Sequence, residues 1–245
     1  MSVTARQIAD GLRERIRSRE LAPGDRLPGE PALVREHGVA KETARRALSM
    51  LVTEGLAVRR RGSGTYVREF RPIRRTAGRR LSRDVWGAGQ SIWAAEVRGR
   101  ELTVTDLEVG EEPVPEEVAP LLGLPDEAAV VVRRRRYLVD GEPVQLATSY
   151  LPADLVRDSP AARAETGPGG LYARLGELGL EPAGFTEELR ARMPDPSESD
   201  RLHLSEGTPV VEICRVAYTA EGRAVDVTWM LLDAGVYTLV YDVTS

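Results

Sequence analysis

Cysteine, histidine, lysine and aromatic residues are all scarce in this chain of 245 residues. A single cysteine, Cys214, excludes an intramolecular disulfide. With only His37 and His203 beside it, no ligand spacing for a structural metal exists, and the three read as packing or surface residues. The same shortage leaves no Ser-His-Asp set, so neither an enzyme activity nor a cofactor is expected. No run of about 18 apolar residues occurs and the N-terminus is polar and charged. Neither a membrane span nor a signal peptide is therefore expected, and the chain reads as cytoplasmic.

What is present is an uneven distribution of charge. The net charge of -4 conceals a split between 19 basic and 9 acidic side chains in residues 1–80 and 15 basic and 29 acidic in residues 81–245. A DNA duplex attracts the first segment, at +10, and repels the second, at -14. The length suits two modest domains that bury their cores without cross-links.

Residues 27–67 carry the most specific pattern. A first short helix is bracketed by Pro31, tolerated in an opening turn, and Gly38, which suits a helix stop. Val39-Ala40 makes a tight connection to a second helix from about Lys41 to Glu54. There Ala44, Ala47, Leu48 and Leu51 form one apolar stripe, and Gly55 ends it. The opposite face presents Lys41, Thr43, Arg45 and Arg46 in its opening turn and a half, where a recognition helix meets base edges and phosphates. Two short strands, Leu56 to Arg59 and Thr65 to Arg68, follow across Arg60-Arg61-Gly62-Ser63-Gly64, whose glycines permit a tight turn. This basic hairpin is a wing against the duplex. Arg35 on the first helix, with Arg61, Gly62, Ser63 and Gly64 of the wing, completes the expected DNA-contacting set. An amphipathic helix over residues 4–19, with Ile8, Leu12 and Ile16 in line, supports the motif.

The wording Leu27-Pro28 with Glu30, Gly38-Val39, Thr43-Ala-Arg45-Arg46-Ala-Leu48, Glu54-Gly55-Leu56 and Gly62-Ser-Gly64-Thr-Tyr-Val67 resembles the GntR family of bacterial transcription regulators. Three positions depart from the pattern. Pro31 stands where the family has an arginine, Ala40 where it has a serine N-cap, and Lys41 where it has an arginine. A lost cap costs about 1 kcal/mol, and lysine cannot fork across a guanine as arginine does, so the operator is expected to differ from the family's usual sequence.

Residues 1–69 are thus expected to form a winged helix-turn-helix domain and residues 70–83, arginine-rich and without periodicity, a linker. Residues 84–245 form a second domain of another character. Strand patterns occur at Glu101 to Val109, Ala129 to Val139 and Glu142 to Leu151, the last two joined across Asp140-Gly141. Further candidates are Phe185 to Arg192, Pro209 to Tyr218, Ala224 to Leu232 and Val236 to Val243. Helical stretches lie at Glu116 to Leu122, Gly169 to Leu178 and near Ser197 to Leu204. Strands joined mainly by hairpins, with few helices, imply an antiparallel α+β domain.

Asp140-Gly141-Glu142-Pro143-Val144, Thr148-Ser149-Tyr150-Leu151-Pro152, Leu171-Tyr172, Glu206-Gly207-Thr208-Pro209-Val210 and Tyr237 resemble the UTRA ligand-sensing domain of the HutC branch of that family. The resemblance implies a fold like that of chorismate lyase and an effector held partly by strand arginines. In the run Arg133 to Arg136 alternate residues share a face, so Arg133, Arg135 and Tyr137 point one way and Arg134 and Arg136 the other. A buried arginine needs an anion or an acidic partner. The expected effector site is Arg133, Arg135, Tyr137, Ser149, Tyr172 and Asp226, taking an anionic group; the alternative is that the arginines form structural ion pairs with Asp226 and Glu212. Ala147 and Gly170 replace an acidic residue and a serine found in members that sense amino-sugar phosphates, which implies a more apolar effector.

The function so implied is a homodimeric transcription regulator, a repressor released from double-stranded operator DNA by a small molecule, with no membrane partner. Two other readings stand beside it: a regulator of mobile-element transfer or maintenance that answers to no effector, and, more remotely, a lyase-like enzyme.

Overall fold

The computed structural model describes residues 3–60, 62–69, 72–76, 78, 81–86, 92, 93, 97 and 99–242. Two compact units divide the chain: Met1–Arg71 with Met193–Asp200 and Leu204–Pro209, and Pro72–Arg192 with Arg201–His203 and Val210–Ser245.

The first unit is built on three helices and a hairpin. Helix α1, Ala5–Arg17, opens on a capping box in which the Thr4 side chain accepts from the Gln7 N–H and the Gln7 side chain accepts from the Thr4 N–H. Helix α2, Glu30–His37, starts after Gly29 with Pro31 in its first turn and stops at Gly38, whose φ of 62° is left-handed. Helix α3, Lys41–Thr53, buries Ala44, Ala47, Leu48, Leu51 and Val52. These meet Ile8, Ala9 and Leu12 of α1 and Leu33 of α2 in one core. Arg13 of α1 clamps Glu54 through Nε and Nη2, at 2.9 and 2.8 Å, tying α1 to the end of α3. Strands β1, Ala57–Arg60, and β2, Gly64–Val67, pair antiparallel. A short helix, Pro196–Arg201, lies in the 193–209 stretch. In the same stretch Gly207 rests against the Thr53 carbonyl so closely that a Cβ would come within 2.3 Å of its oxygen.

The second unit is a six-stranded antiparallel sheet in the order β4-β5-β6-β9-β8-β7. Its strands are β4 Leu102–Pro113, β5 Ala129–Val139, β6 Glu142–Pro152, β7 Gly184–Arg192, β8 Val210–Tyr218 and β9 Ala224–Asp233. The antiparallel α+β architecture read from the strand and hairpin pattern is what the chain adopts. One face buries Val130, Val132, Val216 and Val227 with Ala119 and Leu122 of the short helix Ala119–Leu122 and Val118 just before it. The other buries Val131, Leu151, Ala217 and Val225 with Tyr172 and Leu175 of helix α4, Gly170–Glu177.

The stretch expected as a linker differs from that expectation. Ile73–Thr76 is a strand, β3, paired in parallel with β10, Tyr237–Val240. Its inward residues are Ile73 and Arg75, 2 % and 1 % exposed, the second ion-paired with Glu187. A buried arginine in place of an apolar residue erased the alternation that would have marked the strand. Among the described residues, no helix is long and apolar enough to cross a membrane.

Candidate functional site

The N-terminal surface is set by the phase of α3. Burial of Ala44, Ala47 and Leu48 leaves Lys41, Arg45 and Arg46 exposed and Thr43 half-exposed at its N-terminal end. Their ionic contacts are loose: Lys41 Nζ is 3.8 Å from Glu30 and Arg45 3.7 Å from Glu42, with the Lys41 side chain 80 % and that of Arg45 60 % exposed. Such pairs hold a cation weakly and leave it available to phosphate. Ala40 makes no side-chain cap, so the first turn depends on its core contacts and on Glu42. Arg35 is exposed on α2, and Gly62, Ser63 and Gly64 are exposed at the tip of the wing. Arg61 lies outside the described residues. The wing is stiffened by Ser63 Oγ and Tyr66 OH at 2.6 Å and by the Arg60 guanidinium 4.5 Å over the Tyr66 ring. Arg26 is also exposed and lies beside Gly64, where a Cβ would meet its Nε at 3.0 Å. Isolated before Leu27, it carried no signal in the sequence.

The second unit contains a cavity of about 240 Å³ over the α4 face of the sheet. Strand register builds its floor. Arg133 pairs with Ser149, Ser149 with Thr228 and Thr228 with Arg215, making one polar row across β5, β6, β9 and β8. The next row is Arg135, Ala147, Met230 and Ile213. Arg133, Arg135, Tyr137, Ser149 and Tyr172 line this cavity together, while Asp226 lies behind its wall, 0 % exposed. The outward arginines are engaged elsewhere: Arg134 grips Glu112 with two bonds of 2.6 and 2.8 Å, and Arg136 lies 3.3 Å from Asp106. Glu112 is held below the usual carboxylate range by that bond to Arg134. Glu212 is paired with Arg192 at 2.8 Å.

A chain of polar contacts runs under the cavity. Arg135 Nη2 donates to Ser149 Oγ, which lies 2.8 Å from Thr228 Oγ1. Thr228 Oγ1 donates to the Asp226 carboxylate at 2.9 Å, and Tyr172 OH donates to it at 3.1 Å. Burial pushes the Asp226 carboxyl above its ordinary value, opposed by the charge of Arg215, the Thr228 hydroxyl, Arg135 and Tyr172. Arg133 and Arg135 differ in employment. Arg133, 3 % exposed, donates to the carbonyls of Ala161 and Ala164 at 3.0 Å and to that of Arg163, fastening the loop that closes one side. Burial, then the like charge of Arg135, lowers its pKa to about 10. Among the described residues, Arg135 donates to Ser149 and its buried Nε has no hydrogen-bond partner.

Arg215, Trp93 and Gln145 are among the lining residues that sequence reasoning missed. Arg215, 5.5 Å over the Tyr172 ring, was the one cation in the apolar strand Val210–Tyr218 and could have been singled out. Trp93, whose ring stacks on Tyr137 at 4.4 Å, and Gln145, which accepts from Trp93 Nε1 at 3.1 Å, carried no signal of their own. Among the described residues, three guanidinium groups surround the cavity, with the Asp226 carboxylate behind its wall. Among the described residues, no group of three or more His, Cys, Asp or Glu side chains is placed to hold a metal ion.

Comparison with known proteins agrees with both halves. Residues 4–67 match the model of bacterial regulatory proteins of the gntR family, and residues 97–238 match that of the UTRA domain. An uncharacterized HTH-type transcriptional regulator of Streptomyces coelicolor is 33% identical over 232 residues, covering 90% of this chain and 85% of the relative. The mannosyl-D-glycerate transport/metabolism system repressor MngR of Escherichia coli is 28% identical over 226 residues, 89% of this chain and 86% of the relative. The crystal structure of PhnF from Mycobacterium smegmatis superposes with a TM-score of 0.61 at 24% identity, over 97% of this chain and 99% of that one. With a winged helix-turn-helix head at one end and a UTRA effector domain at the other, the chain belongs to the GntR family of DNA-binding transcriptional regulators.

Proposed function

We propose that the protein is a homodimeric repressor that leaves its operator when an anionic small molecule enters the cavity of the UTRA domain. Its two heads read a pseudo-palindromic operator whose half-sites lie about one helical turn apart, through Lys41, Thr43, Arg45 and Arg46 in the major groove, with Arg35 and the wing residues Arg61 to Gly64 on the backbone. The observation that carries the reading is the excess of cations at the cavity. Among the described residues that line it are three arginines, Arg133, Arg135 and Arg215, and no carboxylate, with Asp226 buried behind the wall, and a cationic cavity of this kind is stabilised by an anion that joins it. Release requires only that the anion bind the DNA-free arrangement more tightly than the bound one.

The test begins with selection of bound sequences from random duplex DNA, followed by gel shifts on the winning site with fractionated metabolites. A palindrome released by one fraction from the wild type, and not from Arg135→Met, is the expected result. A palindrome released by no fraction would replace this reading with a regulator that answers to no effector. A strict monomer at micromolar concentration would overturn the dimer.

A further inference from the structure

The effector's chemistry is narrowed by which polar groups at the cavity are already committed, an argument that rests on the reading above. Ser149 is bonded to Arg135 and Thr228, and the hydroxyls of Thr228 and Tyr172 both donate to Asp226. Gln145 Oε1 accepts from Trp93 and from Tyr237, and Arg133 donates to three carbonyls. Asp226 is wholly buried behind the wall, and among the described residues no carboxylate lines the cavity. Of the lining hydroxyls, those of Tyr137 and Thr166 are left. A sugar entering here would find few acceptors for its hydroxyl protons, which disfavours it against a ligand with one compact polar group.

The remaining wall is apolar and flat. Trp93 and Tyr137 stack with 16° between their planes, and Leu102, Leu107, Leu171 and Met230 share the lining. Aromatic rings prefer offset or edge contact with such a pair, and a methionine sulfur adds a favourable contact. Of the three guanidinium groups at the cavity, that of Arg135, whose Nε has no hydrogen-bond partner among the described residues, stands beside Tyr137, 6.0 Å from the ring centroid. A guanidinium matches the two oxygens of a carboxylate. A volume of about 240 Å³ is at or below the small end of ligand cavities.

We infer that the ligand is a small aromatic carboxylic acid, its carboxylate paired with Arg135 and its ring lying along the Trp93–Tyr137 wall.

Isothermal titration calorimetry of the full chain with benzoate, phenylacetate and 3-phenylpropionate, against phenylacetamide, glucose 6-phosphate and glucosamine 6-phosphate, tests this. Saturable binding of at least one aryl acid is expected, with the amide and the sugar phosphates at least tenfold weaker. Arg135→Met is expected to weaken the acid at least tenfold. Ala147→Glu is a second variant should the first fail to fold. It sets a carboxylate directly across the strand pair from Arg135 and is expected to abolish binding of the acid; unchanged binding by a folded Ala147→Glu protein would overturn the assignment. Binding of a sugar phosphate without any aryl acid would overturn the ligand class and leave the effector reading intact. Binding of neither class by protein that still shifts its operator would overturn both.

Discussion

Replacing Tyr172 by Phe removes one oxygen atom and leaves the ring, which is 3 % exposed and packs 5.5 Å from Phe185. No cavity larger than a hydroxyl is created, so the change acts on the contacts of the hydroxyl, among them the 3.1 Å bond from Tyr172 OH to Asp226. A hydrogen bond to a charged group contributes about 1.5–3 kcal/mol, and Asp226 is 0 % exposed, out of reach of bulk solvent. A loss of about 2 kcal/mol lowers the melting temperature of a unit of this size by about 4–8 °C, read by calorimetry on the UTRA transition at pH 7.5. The pH dependence separates this cause from a packing defect. Tyr172 favours the charged carboxylate, whose pKa burial already raises, so its removal raises that pKa further. The deficit is therefore largest above the folded-state pKa of Asp226, where the carboxylate is charged. It shrinks as the pH falls through that value and the group takes up its proton. Equal melting temperatures at pH 7.5, or a deficit that does not change with pH, would refute the account of the Tyr172–Asp226 pair.

Three other expectations follow from the geometry. Ala40 has φ -66° and ψ 150° and offers no side-chain cap to α3; Ala40→Ser supplies the missing acceptor and is expected to stabilise the N-terminal unit by about 1 kcal/mol, seen as a later urea midpoint with an unchanged slope. Arg46→Ala, on the exposed face of α3, is expected to weaken operator binding by about 1–3 kcal/mol or to lower the salt slope by about one unit, with little change in thermal unfolding; fluorescence anisotropy across a salt series distinguishes base from phosphate contact. Burial, followed by the charges of Glu188, Asp226 and Glu212, pushes the Cys214 thiol up to about 11 from 9.0. Iodoacetamide at pH 8 is expected to alkylate it about 100-fold more slowly in native than in unfolded protein, since the thiolate is the reacting form.

The DNA-binding head was legible because its determinants are local. Pro31 and Gly38 bracket α2, the stripe Ala44, Ala47, Leu48 and Leu51 sets the phase of α3, and Gly62 and Gly64 mark the wing, all within about forty residues. That phase alone turns Lys41, Arg45 and Arg46 outward. The period-2 alternation of β5 likewise separated Arg133, Arg135 and Tyr137 from Arg134 and Arg136 before any partner strand was known.

Sequence by itself therefore determined the kinds of element, the charge asymmetry between the halves and which arginines share a face. Tertiary structure decided what those arginines meet. Ser149, Thr228 and Arg215 fall in one row with Arg133 because of the strand order β5-β6-β9-β8, and β3 exists because β10, some 160 residues later, lies parallel beside it. Sheet order and register arise from contacts between distant segments, which no local periodicity encodes. For the same reason only the fold could give Arg133 and Arg135, two residues apart on one strand, different tasks, the first fastening a loop and the second facing the cavity.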